Sequence, residues 1–243
     1  LLLGSDDFAM TSLANGVPYR SAVYDVLLSE LIDAGITVVR ASGNSSYKID
    51  VPGGIDYNNK ISYTTSNGTS DLYYHRGCSP LDTRMINVGD IDSIKSGSID
   101  QSATTSMKGP GVDIWAAGTD IMSAWAKNNY DDGGTDYFKQ PGQGWRQNIS
   151  SGTSMASPQV AGMAALYLQQ NPTATPALVK TALLDIARPT ILNTGTDSDY
   201  TNGRSLLGGA PKVAYIDPVI PPVYTLTPSV TSVNEGSSFT VTF

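Results

Sequence analysis

The 243-residue sequence has a single histidine, His75, and a single cysteine, Cys78. One cysteine excludes an internal disulfide bond, so burial of apolar side chains, with or without bound ions, must hold the fold together. No apolar run reaches the roughly 20 residues that a membrane-spanning helix needs, and the opening Leu1-Leu2-Leu3 is too short for the core of a signal peptide. We therefore expect no membrane partner.

Basic residues are also few. The chain has 15 Lys and Arg against 22 Asp and Glu, which gives a formal charge of −7. Because phosphate binding requires a concentrated basic surface, this balance argues against nucleic acid as a partner. With 40% hydrophobic residues, the composition is that of a globular protein that can bury one sizeable core.

The first half of the chain alternates helical and strand patterns. Residues 21–34 carry apolar side chains at helical spacing, and Gly35 follows where the helix would stop. The next run, residues 36–39, is β-branched without polar alternation, as in a parallel strand buried on both faces. This order predicts an α/β fold with a mostly parallel central sheet. Further strands are predicted over 85–89, 112–116 and 120–125, with residues 42–84 mostly loop.

Two helices are predicted in the second half. Residues 154–169 are apolar nearly all round, which favours a helix deep inside the protein. Proline fits a helix only in its first turn, so Pro158 places the start of that helix close to Ser154. A second helical pattern follows Pro176 and ends before Pro189.

The C-terminal part changes character after residue 216. The preceding core, residues 1–216, is expected to close at 213–215. Residues 217–223 form a proline-rich linker by composition, and residues 224–243 alternate Thr, Ser and Val like the first strands of an immunoglobulin-like or other β-sandwich domain. Residue 1 is not methionine and the last alternation stops midway, so we expect the sequence to be a fragment.

Ser154 stands at the start of the predicted buried helix. Free backbone N–H groups and the positive end of the helix dipole would face its hydroxyl, and they would stabilise an anion on a carbonyl that Ser154 attacks. A serine that only caps the helix is the commoner explanation of such a local pattern.

Two sequence blocks favour a nucleophilic role for Ser154 over a capping role. Residues 152–158, Gly-Thr-Ser-Met-Ala-Ser-Pro, resemble the nucleophile signature of the subtilisin-like serine proteases, the subtilase (peptidase S8) family. Residues 36–44 are similar to the family strand that ends in Ala-Gly-Asn. Together with weaker similarities at 2–5, 84–89 and 109–118, the resemblance covers roughly residues 1–216. It implies the three-layer subtilisin-like α/β fold, with its N-terminal part missing.

The resemblance also implies an activity and a set of site residues. The expected activity is that of a serine endopeptidase on polypeptides, without a cofactor for the chemistry. Ser154 would form the acyl-enzyme, and Asn44 would donate to the oxyanion beside the Ser154 N–H. Segments that match Leu3-Gly4 and Ala41-Ser42-Gly43 would form the walls of the primary specificity pocket.

The chain departs from the family in lacking its general base. The family's histidine lies in a His-Gly-Thr-His block that precedes this region, and the orienting aspartate also belongs upstream; neither block is present. His75 lies where the family supplies no base, and we expect an ordinary loop histidine there. An N-terminal part of the domain is thus the expected source of both residues, and the fragment alone is expected to be inactive.

A calcium site is a further possibility that the resemblance raises, since the family often binds structural Ca²⁺. Residues 131–136, Asp-Asp-Gly-Gly-Thr-Asp, offer oxygen ligands, but they lack a full coordination pattern. A solvated turn is the simpler interpretation of this stretch, and no metal ligand is assigned from the sequence.

Two other functions compete. Residues 152–156 approximate the nucleophile elbow of an α/β-hydrolase, but that fold places its histidine after the serine, and no histidine follows Ser154. The C-terminal β segment leaves open a non-catalytic, protease-like scaffold of a surface or virion protein. Either this scaffold or a protease is expected outside the cell or at a virion or cell surface.

Overall fold

The computed structural model describes residues 2–3, 22–46, 48–57, 60–65, 68–73, 82–92, 100–125, 146–190, 205–216, 227–228 and 241–242. In chain order the elements are β1 (Leu2–Leu3), α1 (Ala22–Asp33), β2 (Val39–Ala41), β3 (Lys60–Thr65), β4 (Gly68–Tyr73), β5 (Ile86–Ile91), β6 (Ile114–Ala117), β7 (Ile121–Trp125), β8 (Arg146–Ser150), α2 (Thr153–Gln170), α3 (Pro176–Ile186), β9 (Thr227–Pro228) and β10 (Val241–Thr242).

The central sheet is parallel. Its four described strands lie in the order β1-β2-β5-β6, and each neighbouring pair runs parallel. All six residues of β5 are buried, as expected for a strand covered on both faces. The predicted α/β fold is therefore confirmed.

Helices cover both faces of the sheet. Leu28 and Ile32 of α1 pack with Val38 and Met85 on one side. The larger cluster lies on the other side, where α2 and α3 contact the sheet. Its buried members are Val39, Ile86, Val88, Ile114, Ala116, Ala156, Val160, Met163, Ala164, Val179 and Leu183. The result is three layers, helix on sheet on helix.

Three details differ from the sequence predictions. The strand predicted over 36–39 begins only at Val39, and Ile36 lies on the surface with 42% exposure. The α2 helix buries one stripe rather than its whole surface, and its Leu166 is 44% exposed. Residues 42–84 contain an antiparallel hairpin of β3 and β4 rather than mostly loop.

The hairpin had a signal in the sequence. Residues 60–65, Lys-Ile-Ser-Tyr-Thr-Thr, alternate polar and apolar or aromatic side chains, and β-branched residues are frequent among them. Two further antiparallel pairs, β7 with β8 and β9 with β10, stand apart from the central sheet. The predicted linker lies outside the described residues, so the domain boundary at 216 stays a prediction.

Lys180 of α3 connects the helix layer to the sheet. Its ammonium donates to the carbonyl oxygens of Thr83, at 2.8 Å, and Met85, at 2.7 Å, just before β5. It also pairs with Asp113 Oδ1 at 2.7 Å, just before β6. The second carboxylate oxygen of Asp113 accepts the N–H of Asn87 at 2.8 Å. One cation thus joins α3 to two adjacent strands.

Replacing Lys180 with methionine should destabilise the protein by about 3 kcal/mol, because the substitution leaves the carboxylate of Asp113 without its cation in a site where the side chain is only 18% exposed. Asp33→Asn is the control, since the Arg84–Asp33 pair has side-chain exposures of 39% and 66% and should contribute less than about 1 kcal/mol. Denaturant unfolding measures both. Equal losses in the two variants would contradict the assignment.

Candidate active site

Three strand ends and one helix start meet at the carboxyl edge of the sheet. Asn44 follows β2, Asp90 is near the end of β5, and Gly118 follows β6. The loop before α2 joins them through its Gly152, whose N–H donates to the carbonyl of Gly118 at 2.8 Å. In open α/β sheets, ligands bind beyond this edge, so the position is that of a candidate site.

Hydrogen bonds tie Asn44 to the first residue of α2. Asn44 Oδ1 accepts the backbone N–H of Thr153 at 2.9 Å and the hydroxyl of Thr153 at 3.0 Å. The same hydroxyl oxygen accepts the N–H of Gly43 at 3.1 Å. The Asn44 amide is therefore held by its oxygen, and its orientation is fixed relative to the helix.

Ser154 is the second residue of α2 and is half-buried. The helix cap is Gly152, at φ 138°, so the cap residue itself offers no side chain to the helix N-terminus, and Asn44 accepts the Thr153 N–H instead. A Cβ on Gly152 would lie 3.1 Å from Asn44 Oδ1 and 3.2 Å from Asn44 Nδ2. Both the backbone conformation and the close approach of Asn44 favour glycine at this position.

The structure describes four of the five predicted pocket residues. Leu3 pairs with Arg40 across β1 and β2, whereas Gly4 lies outside the described residues. Ala41 ends β2, and its neighbours Ser42 and Gly43 are also buried. Because Ala41 and Ser42 are only 3% and 0% exposed, the described structure gives them no open surface for a substrate, and their part in a pocket wall stays a prediction.

Asp90 is a carboxylate that sequence reasoning missed. It is 1% exposed, and the Thr119 hydroxyl donates to its two oxygens at 3.3 and 3.4 Å. Burial raises the pKa of Asp90 to about 7; hydrogen bonds from Thr119 and Gly118 oppose that shift, and the charge of Asp92 adds to it. The available signal was a carboxylate that directly follows the strand predicted over 85–89.

In the sequence, Thr153 is one residue of the Gly-Thr-Ser-Met-Ala-Ser-Pro motif, and no role is predicted for it. The structure gives it two contacts with Asn44 and one with Gly43, so it joins the two blocks that carry the family resemblance. Gln159, five residues after the serine, donates through Nε2 to the carbonyl of Ala117. This bond secures the first turns of α2 to the end of β6.

The described residues include no cluster of three or more His, Cys, Asp or Glu side chains that could hold a metal. Residues 131–136, where calcium was considered, lie outside them, as do His75 and Cys78. Nor does the described part of the chain contain a helix with the length and hydropathy of a membrane span.

Comparison with known proteins identifies relatives. A sequence model of the Subtilase family, Peptidase_S8, matches residues 7–207. The chain is 33% identical over 172 residues to the extracellular serine proteinase of Thermus sp., covering 71% of this chain and 31% of that protein. It is 41% identical over 108 residues to the serine protease AprX of Bacillus subtilis, covering 41% of this chain and 24% of AprX. The chain thus spans less than a third of the length of either relative.

Solved structures show the same fold. Fervidolysin from Fervidobacterium pennivorans, a keratinolytic enzyme related to subtilisin, matches with a TM-score of 0.53 at 22% identity. The match covers 80% of this chain and 24% of that one. The three layers described above are therefore those of a subtilisin-like fold.

The raised pKa of Asp90 predicts how stability depends on pH. An unfolded aspartate titrates near 3.8 and the folded Asp90 near 7, so the stability that the protonated group contributes is fully present below pH 3.8 and lost as the pH rises through about 7. Asp90→Asn removes this titration. The Tm of the wild type minus that of Asp90→Asn should therefore fall steadily between about pH 4 and about pH 8. A difference that stays constant over this range would contradict the assignment.

Proposed function

The chain belongs to the subtilase family, and on that premise we propose that it carries the nucleophile and the oxyanion donors of a serine endopeptidase. The observation that carries the proposal is the set of hydrogen bonds from Thr153 to Asn44 Oδ1, at 2.9 and 3.0 Å, beside Ser154 at the start of α2. These bonds hold Asn44 next to Thr153, and therefore close to Ser154, at the carboxyl edge of the sheet.

In the proposed mechanism, Ser154 Oγ attacks the carbonyl carbon of a peptide bond and passes its proton to a general base. The carbonyl oxygen becomes an oxyanion, and the leaving amine takes the proton as the acyl-enzyme forms on Ser154. Water then hydrolyses the ester. Asn44 Oδ1 already accepts from Thr153, so the Nδ2 end of the same amide is the end that donates to the oxyanion.

The helix start provides a second donor. The first backbone N–H groups of a helix have no partner within it, and the positive end of the helix dipole favours an anion there. The N–H of Ser154, as the second residue of α2, would therefore share the oxyanion with Asn44. The proposed chemistry requires no cofactor.

The base and the aspartate that orients it are proposed to come from a part of the protease domain outside residues 1–243. His75 is the only histidine in the sequence, and it lies outside the described residues. Support comes from α1, whose Val23, Val26 and Leu27 are 68%, 56% and 51% exposed. This apolar face of α1 is suited to packing against further elements of the same domain.

The proposed substrate is a polypeptide, and the proposed location is outside the cell. The location is supported by the name of the Thermus relative, which describes an extracellular proteinase. Residues 1–216 would form the protease portion, and residues 224–243 would begin a separate β domain.

Ser154 is expected to be the residue that a fluorophosphonate probe labels in the complete protein, because only an activated serine reacts with it. Ser154→Ala should abolish labelling, as measured by mass spectrometry of the modified peptide. Ser157→Ala is a matched control on the same helix: its hydroxyl is buried without a hydrogen-bond partner in the described structure, and labelling should persist. Equal labelling of wild type and Ser154→Ala would refute the nucleophile.

Asn44→Ala should lower kcat by about 10²–10³ with little change in KM, because the donor acts on charge that develops only in the transition state. The magnitude is the one known for the oxyanion asparagine of subtilisin itself. Asn171→Ala, an exposed amide at the far end of α2, should leave kcat nearly unchanged. A large rise in KM at constant kcat would instead make Asn44 a substrate-binding residue.

Residues 1–243 produced alone should hydrolyse peptides no faster than their Ser154→Ala variant, because Ser154 has no base and loss of a triad member leaves only about 10³–10⁴-fold catalysis over water. Adding the proposed N-terminal part in trans should restore fluorophosphonate labelling. If the chain alone turns over substrate and Ser154→Ala abolishes this activity, the base lies within these residues, and His75 becomes the candidate.

A further inference from the structure

Asp90 lies behind the loop that carries the proposed nucleophile, and its carboxylate is not used in the mechanism above. It is 1% exposed in the fifth position of β5. Its backbone N–H donates to the hydroxyl oxygen of Ser106 at 3.1 Å, and its side chain accepts from Thr119. These contacts hold the carboxylate in one place beneath the site.

Gly118 packs between this carboxylate and the loop before α2. A Cβ on Gly118 would lie 2.5 Å from Asp90 Oδ1 and 2.7 Å from the carbonyl oxygen of Gly152. The Gly118 carbonyl also accepts the N–H of Gly152 at 2.8 Å. Asp90, Gly118 and Gly152 are therefore packed with no spare space, and Gly152 is two residues from Ser154.

The charges around Asp90 do not favour its ionised form. Burial raises the pKa of Asp90 most, and the charge of Asp92, which follows the last residue of β5 and is 5% exposed, raises it further. The α2 helix has no charged residue. The ammonium of Lys108 donates to the carbonyls of Thr104 and Ser106. The remaining charged groups on the described elements around this edge are Arg40, Asp100 and Asp120.

We propose that Asp90 is a positioning residue for the nucleophile loop, competent when neutral, and that its ionisation lowers turnover on the alkaline side of the pH profile. The inference rests on the proposed function. Asp90 Oδ1 and the Gly152 carbonyl oxygen lie near the same side of Gly118, so a carboxylate repels that oxygen more than a neutral carboxyl does. A negative charge here also opposes the oxyanion that forms beside Asn44 in the transition state.

The pH dependence of kcat/KM in the complete protein tests this proposal. A general base gives a rising limb that ends in a plateau. In the wild type, kcat/KM should fall again at higher pH, whereas Asp90→Asn should keep the plateau. The ratio of the wild-type value to the Asp90→Asn value should drop about tenfold between about pH 6 and about pH 9. The drop should lie in kcat rather than KM. Asp120→Asn, an exposed carboxylate near the same loop, should keep the wild-type profile.

A purely structural role for Asp90 would change the rate by the same factor at every pH. Parallel profiles of wild type and Asp90→Asn would therefore overturn the proposal. An equal loss of the falling limb in Asp120→Asn would also overturn it, because the effect would then belong to surface charge.

Two further variants keep the carboxyl of Asp90 and test the proposal even if Asp90→Asn does not fold. Thr119→Val removes a hydrogen bond that lowers the pKa of Asp90, so the falling limb should move to higher pH. Asp92→Asn removes a charge that raises the pKa, so the limb should move to lower pH. Shifts in the same direction, or no shift in either variant, would overturn the proposal.

Fluorophosphonate labelling separates this inference from the proposed function. If wild type is labelled on Ser154 but the profiles contradict the expectations above, only the role of Asp90 fails. If Ser154 is not labelled at any pH, the proposed function fails, and the inference about Asp90 fails with it.

Discussion

The contact between Asn44 and Thr153 is the constraint on which the site depends. It joins the end of β2 to the first turn of α2, two segments that are 109 residues apart in the chain. The amide oxygen satisfies an N–H that a helix start leaves without an internal partner. The same bond sets which end of the Asn44 amide can face a substrate.

The rest of the sheet edge supports this contact. The Gly152 N–H donates to Gly118 after β6, and Gln159 donates to Ala117 in the same segment. At the opposite edge of the sheet, before β5 and β6, the Lys180–Asp113 pair holds α3 against the strands. Glycine at 118 allows an approach that a Cβ would prevent, and glycine at 152 allows a positive φ and a close contact with Asn44. The loop that carries the proposed nucleophile is therefore held from β2 and β6, with the carboxylate of Asp90 packed behind it.

Much of the fold could be predicted because its patterns are local. Helix α2 was predicted at 154–169 and lies at Thr153–Gln170, and the strand predicted over 85–89 is β5, at Ile86–Ile91. The hairpin of β3 and β4 was missed because its polar composition outweighed its alternation. Ile36 was assigned to a strand from its β-branched neighbours, although it lies on the surface, since exposure depends on the tertiary fold. Asp90 could not be assigned a role from sequence, because its raised pKa follows mainly from burial, which depends on the tertiary fold.

The most direct test of the account is a crystal structure of the complete protein with a peptidyl boronate, whose tetrahedral adduct imitates the transition state. The account predicts a covalent bond from boron to Ser154 Oγ, with Asn44 Nδ2 about 2.7–3.1 Å from the boronate oxygen that occupies the oxyanion position. An adduct on another residue would contradict it. So would an adduct on Ser154 in which Asn44 Nδ2 lies beyond hydrogen-bond distance of that oxygen.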